Sequence, residues 1–552
     1  MKTYKIFIVL LAATFSACSL DEKPIDFLGA DTFYTKDNDV VMSINGCYES
    51  LKSDNYYGNL FVSSLFASAD YGQGNTGQNS TQQFTRADYT GEQLQIVAMW
   101  AAIYKSIGRA NTTIYRTQNA AGITDELKNR ILGEARFIRA LNYFNLVRSF
   151  GEVPLRVKPV ENFDTDIHIP VSKREEIYKQ IIEDLKFAEL NCWNLNETRN
   201  GIVNNIGRAT SLGATTLLAK VYLHIASSAR IANTPGYIDS SPVEGVGVCD
   251  AYSSYTNYKQ YYDSCLQACN KGIAHSDFAL ETDWKNLWNV ATNKNPKEYI
   301  FSIQSSADAG YGNRYPFLFL PRGSVLGGST SSQGGLNRFV AEFVNVMSFD
   351  TADYRWKSGF VLEINFRNNT PAEVWKFKNG AGLYYGKVSN TAATGGGSNR
   401  LATAKWNDPA TADMATSRCE FPVLRSVDLY LMKGEAQAEI TEIPADGYSA
   451  INTVRSRVAA PVLDDVLLNK FAGANQMEKF REFIMKERLM EFAAEGDRWF
   501  TLLRMGKLIT KAQIIVNKGN ANKKRVKKNY YWPISQEEIN SNNMVNSNSP
   551  GY

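Results

Sequence analysis

Three glutamates spaced four residues apart, Glu487, Glu491 and Glu495, come nearest in this chain to a pattern that could do acid–base chemistry. On a helix such positions share one face. A general acid needs a raised pKa and a pocket, whereas arginine neighbours such as Arg488 lower the pKa of a carboxyl group. With Asp497, Arg498 and Arg504 following, the block predicts ion-paired helix ends beside buried aromatics, with no catalytic role. Cys265 and Cys269, also four apart, would need two further ligands at matching spacing to hold zinc. None follows, so they are expected to be small buried residues. The chain has three histidines, His168, His224 and His275, and no two lie close together. A histidine metal centre is therefore not expected, and no metal ligand, cofactor or catalytic residue is assigned. A different chemistry is offered by glycine-rich loops in which aromatic residues alternate with amides, around 70–91 and 308–317. Aromatic rings stack on apolar faces, and amides hydrogen-bond polar edges.

Charge narrows the partners. The 552 residues carry 60 Lys plus Arg against 56 Asp plus Glu, a formal net charge of +4, which argues against a nucleic-acid binder that relies on phosphate contacts. Lys2 and Lys5 precede a twelve-residue apolar run, Ile6 to Ala17. The run is too short for a membrane span, which needs about 20 apolar residues, but fits a signal-peptide core. Phe15-Ser16-Ala17-Cys18 resembles a bacterial lipobox, with Phe15 where Leu is usual. Residues 1–17 are thus expected to be removed, Cys18 to carry the lipid, and 18–30 to be a tether. Loss of Lys2 and Lys5 would lower the net charge from +4 to +2.

The elements that must position the loops are helices. Apolar spacing near 3.6 predicts helices over Glu126 to Phe150, Ser172 to Leu190, Gly207 to Ala229, Ser426 to Ile440, Gly447 to Ala459 and Met477 to Glu495, and a further one over Asp497 to Val516. Ser172 and Glu175 read as a capping box. The helices come in pairs, with small residues such as Gly133, Ala135 and Ala140 on one face and aromatics such as Tyr143, Tyr222 and Tyr430 nearby. That is the pattern of tetratricopeptide-like repeats. The expected fold is mainly α: tetratricopeptide-like helix pairs forming a superhelical bundle, with a loop-rich insertion containing small β elements. A single domain over 31–552 divides into an N-terminal helical part (31–235), the insertion (236–420) and a C-terminal helical part (421–552). Within the insertion, Tyr299 to Gln304 and Val374 to Phe377 look like strands. Tyr252, Tyr255, Tyr258, Tyr261 and Tyr262 read as a packing face.

Several separated blocks carry a family resemblance. Arg139-Ala140 with Tyr143-Phe144 and Gly151-Glu152-Val153-Pro154-Leu155 is similar to an "RA-x-x-YF…GDVPL" block. Gly207-Arg208-Ala209-Thr210 with Leu217 to Leu223 resembles "GRAT…LLAKVYL". Leu424-Arg425 with Asp428, Leu431 and Gly434-Glu435-Ala436 resembles "LR-x-x-D-x-x-L-x-x-AEA", with Gly434 where Ala is usual. Ile451-Asn452 with Val454-Arg455 and Arg457 resembles "IN-x-VR-x-R". Glu487-Arg488 with Glu491-Phe492, Gly496, Arg498-Trp499 and Arg504 resembles "ER-x-x-EF…G-x-RW-x-DL-x-R", with Thr501 where Asp is usual. Trp532-Pro533-Ile534 through Asn548 to Tyr552 resembles the closing "PIP-x-x-EI…QNPGY". On these blocks the chain is identified as a member of the SusD/RagB family of outer-membrane nutrient-binding lipoproteins.

The resemblance implies a non-enzymatic protein, lipid-anchored in the outer membrane and facing the cell surface. It would capture oligosaccharides or polysaccharide and deliver them to a SusC-like TonB-dependent transporter, with no nucleic-acid partner. A RagB-type peptide binder is the alternative, and a glycoside hydrolase a more distant one, since it needs two carboxyls about 5 to 10 Å apart across a cleft. The expected glycan contacts are Tyr71, Asn75 and Tyr89 in the first loop and Tyr311, Asn313, Arg314 and Tyr315 in the second. Tyr384-Tyr385 forms a third candidate. Trp100, Tyr104 and Asn111 are expected to pack within their helix.

Overall fold

The computed structural model describes residues 34–74, 79–199, 201–203, 206–235, 247–288, 290, 294–308, 310–319, 339–342, 353–355, 400–401, 405–406, 408, 416–516 and 525–552. The expectations for Cys18, its tether, Asn75, Val374 to Phe377 and Tyr384-Tyr385 fall outside them.

The N-terminal half runs α1 (Asp37–Leu51), α2 (Leu60–Ser68), β1 (Gly72–Gly74), α3 (Asn79–Arg86), α4 (Leu94–Asn119), α5 (Asp125–Ser149), α6 (Arg174–Asn191), β2 (Thr198–Arg199), β3 (Ile202–Val203) and α7 (Ser211–Ala232). The middle holds α8 (Val248–Tyr252), α9 (Lys259–Ile273), β4 (Tyr299–Ile303), α10 (Tyr315–Phe319), β5 (Phe339–Glu342), β6 (Arg400–Leu401) and β7 (Phe421–Arg425). The last part is helical: α11 (Ser426–Thr441), α12 (Ala445–Ser456), α13 (Asp465–Leu468), α14 (Gln476–Phe492), α15 (Asp497–Arg504), α16 (Leu508–Val516) and α17 (Gln536–Ser541).

The longer helices pack in a row, each against the next: α1, α4, α5, α6, α7, α9, α11, α12. The fold is therefore mainly α and built of tetratricopeptide-like pairs. One member of the row, α9, lies inside the range expected for the insertion, so the helical scaffold continues beyond residue 235. The tyrosines of α8 and α9 pack as expected: Tyr252 and Tyr262 are buried, and the Tyr178 and Tyr252 hydroxyls meet at 2.8 Å. Cys265 and Cys269 are buried in the same helix as free thiols.

Local chemistry sets the helix ends. Thr124 Oγ1 caps α5 by accepting from the Leu127 N–H at 3.4 Å, and Asp125 and Glu126 occupy the first turn, where the helix dipole favours anions. The capping expected from Ser172 and Glu175 is shifted by one residue: α6 begins at Arg174, and the Glu176 carboxylate accepts from the Lys173 N–H at 3.2 Å. The single helix expected over Asp497 to Val516 is two. Gly506 adopts φ +65°, its N–H donates to Leu503 O at 3.0 Å, and the Lys507 N–H donates to Leu502 O at 2.8 Å. This is the paired bonding of a Schellman stop. Gly434, the departure from the family pattern, faces Gly447. A Cβ on Gly434 would lie 2.8 Å from the Gly447 carbonyl, and one on Gly447 would lie 2.2 Å from the Gly434 carbonyl. The α11–α12 backbones thus touch where a methyl group would part them.

Small sheets complete the frame. β4 pairs antiparallel with β7, from Tyr299↔Arg425 to Ile303↔Phe421. β5 lies between β1 and β6. The C-terminal segment closes the core: Trp532 stacks on Trp499 at 4.9 Å and meets Phe61, Phe84 and Phe150 edge-on. The Trp532 backbone N–H donates to Ser149 O at 2.7 Å. Among the described residues, no helix is long and apolar enough to cross a membrane.

Candidate ligand-binding site

The glutamates of α14 are fully engaged. Glu491 accepts from Arg425 at 2.8 Å, Arg457 at 2.9 Å and Arg355 at 3.1 Å, and from the Trp284 indole at 3.1 Å. Glu487 pairs with Arg355 and Arg455, and Glu495 with Lys405 and Arg425. Burial alone would raise the Glu491 pKa, but the Arg457, Arg425 and Arg355 guanidiniums outweigh it and hold the group well below the usual range. Glu487 is lowered likewise, with Arg355 and Arg455 overcoming burial. A carboxyl held ionised cannot serve as a general acid near neutral pH. The network instead fastens residues 353–355 and 405 of the insertion to α14. Arg488 pairs with Asp428 and Asp497, Arg498 with Asp70, and Arg504 with Glu435. These are the ion pairs the sequence block predicts.

Among the described carboxyls with a resolved shift, Glu420 alone is raised. Burial pushes it up to about 7 against the opposing effects of Lys294, Ser302 and Gln304. It lies just before β7, and its Oε2 accepts from Ser302 Oγ at 3.2 Å. Among the described residues, no group of three or more His, Cys, Asp or Glu is placed to hold a metal.

The second loop leaves β4 and returns into α10. A turn at its tip is closed by the Ser306 N–H donating to Tyr311 O at 2.8 Å and the Tyr311 N–H donating to Asp308 O at 2.9 Å. Gly310 takes φ +82° within it, a conformation glycine adopts without steric cost. Asn313 is a strut. Its N–H donates to Ser417 O at 3.0 Å, its amide nitrogen to Cys419 O, and its Oδ1 accepts from the Tyr315 N–H at 3.0 Å. Tyr315 is 1% exposed, stacked on Trp406 at 4.9 Å and tilted on Phe421 at 5.4 Å, with its hydroxyl donating to Tyr57 O.

What this scaffold presents to solvent is Tyr311 and Arg314. Tyr311 is 60% exposed. Lys52, just past α1, places its ammonium 5.1 Å from the Tyr311 ring centroid and donates to the Tyr311 carbonyl. Arg314 lies 3.3 Å from Asp54, and both side chains are exposed. An aromatic face flanked by an ammonium, a guanidinium and a carboxylate can stack on an apolar ring and hydrogen-bond hydroxyls. Lys52 and Asp54 went unseen in the sequence because the contact spans more than 250 residues.

The first-loop tyrosines differ from the expectation of exposed stacking rings. Tyr71 is 1% exposed; its hydroxyl accepts from the Ala494 N–H at 2.7 Å, and its ring meets Phe66 edge-on. Tyr89 is 2% exposed, packed between Phe84 and the C-terminal Tyr552. Glycine-rich loops admit rings inward as easily as outward, and here core burial stabilises each by about 1.5–3 kcal/mol. Tyr71, Tyr89, Asn313 and Tyr315 thus act as packing and positioning residues in this conformation, and Tyr311 and Arg314 share one exposed patch. Trp100, Tyr104 and Asn111 pack as expected: the Trp100 indole donates to Glu538, the Tyr104 hydroxyl to Pro154 O and the Asn111 amide to Arg156 O.

A row of tetratricopeptide-like pairs bearing a loop-rich insertion defines a helical scaffold protein whose described loops expose an aromatic patch. Family comparison gives the particular kind. The model described as "SusD family" matches residues 297–552, and the one described as "Starch-binding associating with outer membrane" matches residues 20–223. The chain belongs to the SusD-like family. It is 25% identical over the whole of both chains to SusD-like protein P2 of Formosa agariphila. A SusD homolog from Bacteroides thetaiotaomicron superposes with a TM-score of 0.73 at 20% identity, covering 94% of this chain and 98% of the other. A laminarin-binding SusD-like protein superposes at 0.66 and 19% identity, covering 94% and 100%.

Proposed function

We propose that this protein is a cell-surface lipoprotein, anchored in the outer membrane through Cys18, that captures oligosaccharides or polysaccharide and delivers them to a SusC-like TonB-dependent transporter. Residues 1–17 are the signal, 18–30 the tether, and 31–552 the binding domain. No covalent step is assigned to it. The observation that carries the glycan reading is Tyr311: a solvent-facing ring on a braced turn, with Lys52, Asp54 and Arg314 around it. The family description and the laminarin-binding relative support the same ligand class. Isothermal calorimetry of the purified protein against a panel of oligosaccharides and peptides tests it. Heat from at least one glycan, lost in Tyr311→Ala, is expected; binding to peptides and to no glycan would establish the RagB-type alternative. Cys18→Ala should move the protein from the membrane to the soluble fraction, and retention in the membrane would refute the anchor.

A further inference from the structure

Arg148 is a buried cation without a carboxylate of its own. It lies near the end of α5 and is 6% exposed. Phe144 and Phe500 flank its guanidinium, each ring centroid 3.8 Å from Cζ. Nε donates to Phe144 O at 3.1 Å and Nη2 to Asn145 Oδ1 at 2.7 Å. Among the described residues, Nη1 has no partner and no carboxylate pairs with the group. Buried Arg139, Arg355, Arg425, Arg488, Arg498 and Arg504, by contrast, each hold one.

A pocket of about 50 Å³ adjoins Arg148, with Asn145, Lys220, Arg425, Asp428 and Asp497 also on its wall. The two aspartates are already matched. Asp428 accepts from Arg488 at 2.7 Å and Lys220 at 2.8 Å, and Asp497 accepts from Arg488 at 2.8 Å and Thr501 at 2.8 Å. Glu495, on the same wall, is held by Lys405 at 2.6 Å and Arg425 at 2.9 Å. Lys220 and Arg488 therefore balance Asp428 and Asp497, and Arg148 is the charge left over. Buried charges are normally paired.

We propose that this cavity binds a monovalent anion of halide size, chloride in saline surroundings, as the counter-ion of Arg148. The space exceeds what one water needs, and Arg148, on its wall with Nη1 unbonded, supplies the positive end. The Phe144 and Phe500 faces keep the guanidinium edge directed out from between the rings. Burial lowers the Arg148 pKa to about 10, the direction expected of a cation short of an anion.

The test compares thermal unfolding of the full mature chain in sodium chloride and in sodium isethionate, whose anion is too large for the cavity, at equal ionic strength. Tm should be higher in chloride and rise by about 1–2 °C per tenfold increase above saturation. The difference should vanish in Arg148→Met. Crystals soaked in sodium bromide should show an anomalous peak beside Arg148, a readout that stands if Arg148→Met fails to fold. Equal Tm in the two salts, or a cavity holding water with no bromide signal, would overturn the proposal.

Discussion

Two clusters built from the same residue types meet opposite fates in this molecule. Around Glu491, Arg355, Arg425 and Arg457 lie inside the protein with their carboxylate partners. At the Tyr311 turn, Arg314 and Asp54 are set toward solvent and Lys52 is half-buried. In the first, each partner is indispensable because its loss strands a charge away from water. In the second, water and salt replace a lost partner at little cost. The inner cluster can hold the insertion in place, and the outer one is free to exchange its contacts for a ligand.

The contrast is sharpest at Glu491. Glu491→Gln removes a buried carboxylate that three guanidiniums share and should lower stability by about 3–5 kcal/mol in denaturant unfolding; a loss under about 1 kcal/mol would break the distinction. Because Glu487 and Glu491 are held below their unfolded values, their stabilisation is present above about pH 4.3 and is lost as pH falls through the folded values. Tyr311→Ala should reverse the pattern: glycan affinity falls by about 1–3 kcal/mol by calorimetry, while stability changes by less than about 0.5 kcal/mol. A destabilised Tyr311→Ala protein would place that ring in the fold and not at the ligand. Glu420 occupies the middle ground. Its folded pKa, about 7, exceeds its unfolded value, so the folded state binds more protons and stability declines as pH rises through that window. Glu420→Gln should flatten the decline by about 1–2 kcal/mol between pH 5 and 8, seen as an unfolding midpoint that changes less with pH than that of the unaltered protein. The smallest effect belongs to Asp54→Ala: about 0.5 kcal/mol or less, disappearing in high salt.

The same division governs what the sequence makes legible. Helix α5 is readable almost to the residue, because a long 3.6-periodic pattern ending at Gly151 and Pro154 is a local signal. Gly506 was readable in principle as a stop, but the apolar run on both sides of it disguises two helices as one. The ion pairs of Arg488 and Arg498 follow from charge beside aromatics. The insertion residues Asp353, Arg355 and Lys405 that join the network carry no local mark, since only the fold brings them to α14. For the loops the sequence shows which rings are available but not which way they face. Tyr311 and Tyr315 stand four residues apart in one glycine-containing segment; the first is exposed and the second lies on Trp406 and Phe421. That choice is made by Cys419, Ser417 and Tyr57, whose carbonyls hold Asn313 and Tyr315, and it is invisible until those strands pair. Gly434 shows the converse: its departure from the family pattern becomes intelligible once Gly447 is seen against it.

The Trp532 stack has a consequence for the order in which the molecule can be made. The ring that Phe61, Phe84, Phe150 and Trp499 surround is supplied after all four of them in the chain. Domains tend to fold as their chains emerge during synthesis, but this core lacks its centre until Trp532 has been added. Until that ring arrives, the helices around it have no common centre on which to close, and the segments made earlier must wait unlocked.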